Sequence, residues 1–227
     1  MLIKVKNSYV VSVEVKLSFR GKLDYILNVL QESSKNFNTD VDEIENSYYS
    51  ELGDQIDFSN EDYEFHQSQV EVLKNEAKHF PQILFKSMLV SGYSVFETTM
   101  SEIRVDSEKQ VNRKIKYKHL KTIGSEIENI IHFFHIIHDC SFSDLTTELS
   151  KLKDYNEIRN IIVHKNGNIK QEDMSVKNRI KKILSEEKNI KLDSDDNLEL
   201  NKTFVRTYIN FLKKTGNQIF DSLSIKS

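Results

Sequence analysis

The chain has 227 residues, 38% apolar and 30% charged, with a net charge of −3, one proline, six glycines and one cysteine. This length supports one large domain, or one domain with an extension, and a sizeable core. Scarce Gly and Pro exclude a turn-rich β fold, the lone Cys140 excludes an intrachain disulfide and suits a reducing, cytoplasmic compartment, and no run of about 18 apolar residues offers a membrane span. The start, MLIKVKNSYVV, lacks the continuous apolar region of a signal peptide. Between residues 36 and 73 there are eleven acidic residues and no Lys or Arg, so the rest of the chain carries +8. A split of that size suits surfaces that meet different partners.

Residues 3 to 19 place Ile3, Val5, Tyr9, Val11, Val13, Val15, Leu17 and Phe19 on odd positions. This alternation reads as strand, with Lys6-Asn7-Ser8 turning an N-terminal β-hairpin; a long helix competes, since Lys and Glu are frequent. Residues 21 to 35 read as a short helix and 36 to 62 as a long acidic loop or a loosely packed segment. Residues 64 to 80 are expected to be helical, with Pro81 in the first turn of the next helix. That helix is the clearest: Phe85, Leu89, Gly92, Phe96, Met100 and Ile103 form one apolar stripe. Helices are expected over 125 to 139, over 142 to about 163 with Asn166-Gly167 as the stop, over 174 to 188 and over 201 to 223. IKLDSDDNLEL reads as two short strands around a turn, without the glycine and spacing of a calcium loop. The fold expected is mainly α, an N-terminal extension over 1–79 and a helical domain over 80–227 with a short β-hairpin before the last helix.

One stretch, YNEIRNIIVHKNG, raises a question of chemistry. On a helix turning about 100° per residue, Ile158, Ile161 and Ile162 share an inward face, while Asn156, Asn160 and His164 lie opposite and Arg159 falls between. The bland reading is a solvated helix face. The sharper reading is a site, because a guanidinium grips phosphate in bidentate fashion and an imidazole moves protons near neutral pH.

RNIIVH is Arg-Asn-x3-His, and it resembles the R-x(4–6)-H motif of the HEPN domain family, including the polar residue after the Arg. ILFKSMLVSGYSVFETTMSEI resembles the long helix in which such proteins of phage-defence and toxin type carry a Tyr/Phe- and Glu-containing stripe, here with Tyr93 and Glu97. The resemblance spans roughly residues 80 to 223, and Asn166 departs from it where members controlled by nucleotidyltransferase antitoxins often carry Tyr. It implies a helical bundle, a two-fold homodimer, and metal-independent endoribonuclease activity at the dimer cleft, as a toxin or anti-phage (abortive infection) effector. It also implies an RNA substrate, no cofactor and no membrane, and an antitoxin or other defence-system partner. Arg159 would then hold the phosphate, His164 would be general acid or base, and Asn160 would orient either. Tyr93 and Glu97 would border the cleft, although Glu97 also suits an exposed position at the edge of the stripe. The alternative is a non-catalytic HEPN module that binds RNA or a partner protein.

RKIKYKHLK adds Arg113, Lys114, Lys116 and Lys118 around Tyr117, which suits RNA phosphates and a stacked base as well as it suits a solvated face. HFFHIIHDC brings His132, His135 and His138 together. Glu128, His132, His135 and Asp139 form the polar stripe of an ordinary amphipathic helix, and His138 points elsewhere, so no metal site is expected.

Overall fold

A computed structural model describes residues 9–35, 41–53, 60–110 and 116–224. It contains α1 (Val13–Ser33), α2 (Val41–Leu52), α3 (Asn60–Gln110), α4 (Glu126–His138), α5 (Thr146–Lys165), α6 (Met174–Glu186), β1 (Ile190–Leu192), β2 (Leu198–Leu200) and α7 (Lys202–Ser224). The chain is mainly helical, and one antiparallel hairpin precedes the last helix.

α3 is the axis of the molecule. α1 and α7 pack on it and on each other, and α2, α4 and α5 pack along it. Phe19, Phe96 and Phe220 lock the first three together edge to face, with ring centroids of Phe19 and Phe220 5.3 Å apart. The close approach needs glycine: a Cβ on Gly216 would meet the Phe19 ring at 2.5 Å. The expected stripe from Phe85 to Ile103 is buried along its length.

Several N-terminal expectations are corrected. Among the described residues, period two holds for residues 9 to 12, where Tyr9 and Val11 are buried and Val10 and Ser12 are exposed. Residues 13 to 33 are helix rather than strand. Ser12 caps its start by accepting from the Val15 N–H, and Phe19, Leu23 and Leu30 bury one helical stripe while Val13 and Leu17 face out. The proposed turn at Lys6-Asn7-Ser8 lies outside the described residues. The acidic stretch is not one long loop, since it contains α2 and the start of α3. Pro81 does not open a helix; it sits inside α3, which runs unbroken across the 79/80 boundary.

The C-terminal half follows its local signals. Ser125 and Glu128 form a reciprocal capping box at the start of α4. α5 stops at Asn166 and Gly167, both left-handed with φ of 52° and 87°, and the Gly167 N–H returns to the Ile161 carbonyl at 3.1 Å. The hairpin turns on Asp193, whose carboxylate accepts from the Asp195 and Asn197 N–H groups at 2.8 Å each. Those backbone N–H donors, chiefly Asn197's, hold its carboxyl below the usual range. Gln82 of α3 clamps β2 with its amide, donating to the Leu200 carbonyl and accepting from its N–H, both at 2.9 Å.

Candidate active site

The motif helix α5 packs on α3 through Ile158, Ile161 and Ile162, all buried as expected. Its C-terminal end is held from two sides. Lys86 of α3 donates to the Asn166 carbonyl at 3.1 Å, and the Leu198 N–H donates to the Gly167 carbonyl at 2.9 Å. These bonds pin the chain just past the helix end and so fix the last turn, where His164 stands.

Arg159 is half-buried at the border of the two faces. Its Nη1 donates to Asn160 Oδ1 at 2.9 Å, and its Nε is buried without an acceptor among the described residues. The Arg159 charge reaches Tyr93 and Glu97 on α3 and Tyr208 on α7. Burial pushes the Glu97 carboxyl above its ordinary value, and Arg159 opposes that shift. Burial likewise raises the Tyr93 hydroxyl, and the neighbouring Glu97 adds to it. Glu97 is thus half-buried rather than exposed. The sequence held no sign that the Arg159 charge reaches it, because 62 residues separate them.

His164 is exposed and makes no hydrogen bond or ion pair among the described residues. Within one chain, then, the structure brings Arg159, Asn160, Tyr93 and Glu97 together and leaves His164 one turn away, open to a substrate or to a second copy.

The basic stretch is arranged differently from the expectation. Arg113 and Lys114 lie outside the described residues. Tyr117 is not a free stacking platform: the Arg104 guanidinium lies 4.4 Å over its ring and Phe133 packs against it at 5.7 Å. Its hydroxyl is pushed up to about 12, by burial first and by Glu126 second. Lys116 donates to the Glu108 carbonyl at 3.3 Å, and only Lys118 of the three described residues is exposed.

The histidine helix holds no group of three or more His, Cys, Asp or Glu side chains fit for a metal among the described residues. His138 is buried, bonded to the Ser107 hydroxyl and stacked on Tyr9 at 5.1 Å. His135 Nδ1 donates to the Cys140 carbonyl at 2.7 Å. Glu128, His132 and His135 do share a face, but it borders a cavity of about 390 Å³ between α4 and α5 that Tyr93 also lines. The amphipathic pattern alone could not distinguish that cavity from bulk solvent.

No helix among the described residues is long and apolar enough to cross a membrane. Comparison of the chain with protein-family models, with curated proteins and with solved structures finds no match.

Proposed function

We propose that the protein is a metal-independent endoribonuclease of HEPN type, acting in the cytoplasm as a homodimer and serving as a toxin or anti-phage effector. The observation that carries this reading is the polar face of α5. Asn160 orients the Arg159 guanidinium, Glu97 of α3 lies within reach of its charge, and His164 stands exposed on the last, anchored turn. A guanidinium held by its neighbours is preorganised for the charge that grows on a phosphorane.

In the reaction the RNA 2′-oxygen bonds to phosphorus and the bond from phosphorus to the 5′-oxygen breaks. One proton leaves the 2′-hydroxyl and one reaches the 5′-oxygen. His164 would move one of them, and its copy across the dimer axis would move the other. Two Arg159 groups in one cleft would share the phosphate charge, and Lys118 on the flank would add a salt-dependent hold on the strand. An antitoxin or other defence-system protein would restrain the activity.

The test is expression of wild type, Arg159→Ala and His164→Ala in cells, with total RNA integrity as readout. Wild type should cut RNA, and its purified form should keep cutting in EDTA, leaving 2′,3′-cyclic phosphate ends and sparing DNA. Each variant should lose at least about a hundredfold in cleavage rate, the usual scale for a lost acid, base or charge donor. Equal cleavage by His164→Ala and wild type sinks the catalytic reading.

The second reading, a non-catalytic module that binds RNA or a partner protein, is favoured by one fact: the Arg159 guanidinium already donates to Asn160 inside its own chain. It predicts RNA binding that survives His164→Ala with no cleavage by any variant.

A further inference from the structure

We propose that the cavity between α4 and α5 is a nucleobase pocket, which receives a base of the same RNA strand whose phosphate Arg159 holds. The proposal rests on the RNA-cleavage reading and names what that site would select. The cavity, at about 390 Å³, falls in the range of small-ligand sites. Ile127, Ile131, Phe142 and Leu149 give it apolar walls suited to the faces of a flat ring.

Its polar groups suit a ring edge. The His135 Nδ1 proton is committed to the Cys140 carbonyl, so in the neutral ring Nε2 remains as an acceptor. His132 and Ser125 also line the space. The charges cancel: Lys153 at the wall is paired with Glu128 at 3.0 Å. A second phosphate would find no surplus positive charge there, and an uncharged base needs none.

The pocket and the motif are parts of one track. Leu149, Lys153, Asn156, Asn160 and His164 recur every three or four residues, so they form one stripe along α5. Leu149 and Lys153 line the cavity, Asn160 holds the guanidinium, and His164 ends the stripe. Lys153 and Asn160 are about 10 Å apart along the helix axis, a span that a nucleotide or two of extended single strand covers. Tyr93 borders the cavity and lies within the field of Arg159, so the two features adjoin across α3 as well.

The test reads binding without any cleavage. Calorimetry on the full chain compares the four 5′-mononucleotides with ribose 5-phosphate, for wild type, Leu149→Trp, Ser150→Trp and Arg159→Ala. Ser150 is exposed at the cavity mouth, so its replacement blocks the space without disturbing the core. At least one nucleotide should bind tenfold or more tightly than ribose 5-phosphate. Ser150→Trp and Leu149→Trp should each erase that difference, while Arg159→Ala should weaken all five ligands alike and keep it. Ribose 5-phosphate binding as tightly as every nucleotide overturns the pocket, and so does a base preference that survives in a folded Ser150→Trp protein. RNA cleavage with no base preference in binding fails the pocket alone. Base-selective binding in a wild-type protein that cuts no RNA fails the nuclease reading alone.

Discussion

From Phe85 to Ile103, α3 buries six stripe positions against its neighbours; from Phe65 to Ile83, the same helix shows Phe65, Val72, Phe80 and Ile83 to solvent, at 59%, 48%, 57% and 62% exposure. The backbone is continuous through both halves. The inner half is enclosed by α1, α5 and α7, while the outer half has α2 beside it, tied by Lys74 to Glu45 at 2.7 Å and by Tyr48 to His66 at 2.9 Å. A partly exposed ion pair such as Lys74–Glu45 contributes little. Helical hydrogen bonds therefore extend along α3 where burial thins to Val70 and a few half-buried positions, and the stability of a long helix resides mostly where other elements cover it.

The largest expected effect comes from the inner half. Phe96→Ala removes a fully buried ring and should cost about 3–5 kcal/mol, read as a lower urea midpoint. A loss below about 1 kcal/mol would mean that the inner half is not the stable one. Next is the junction. Pro81 lacks the N–H that would donate to the Ala77 carbonyl, and its ring crowds that carbonyl. Pro81→Ala should add up to about 3 kcal/mol to the local stability of residues 60–80, measured by amide hydrogen exchange. Unchanged exchange there would show that the outer half opens independently of the junction.

Glu97→Gln sharpens the comparison at the site itself. Burial raises the folded-state pKa of Glu97 above its unfolded value, so its stabilising share is complete below the unfolded pKa and is lost as pH rises through the folded one. Glutamine cannot ionise. The Tm of Glu97→Gln relative to wild type should therefore rise from about pH 4 to about pH 7; a difference that is flat or falls with pH contradicts the raised pKa. The smallest effect belongs to the outer half: Phe65→Ala should change global stability by no more than about 0.5 kcal/mol, the usual range for an exposed position.

Local signals in the sequence account for most of the helices. The stripe from Phe85, the capping pair Ser125 and Glu128, the Asn166-Gly167 stop and the turn at Asp193 are each written within a few residues. α1 was harder to read because Val13, Val15, Leu17 and Phe19 fit period two as well as a helix, and only the packing of Phe19, Leu23 and Leu30 selects the helical face. The polar face of α5 was legible from the spacing of Asn156, Asn160 and His164. The fate of Tyr117 was not, because a basic run with an aromatic residue reads the same whether its ring faces water or Arg104.

The sequence by itself determined where α4, α6 and α7 start and stop, where α5 stops and which face of α5 is polar, because those outcomes depend on hydrogen bonds and side chains within one or two turns. Tertiary structure alone decided that Glu97 lies within reach of the Arg159 charge, that Lys86 anchors the turn bearing His164, and that the face of Glu128, His132 and His135 borders a cavity. Each of those joins residues on different helices, and which helices meet is set by the burial of the whole core rather than by any local pattern.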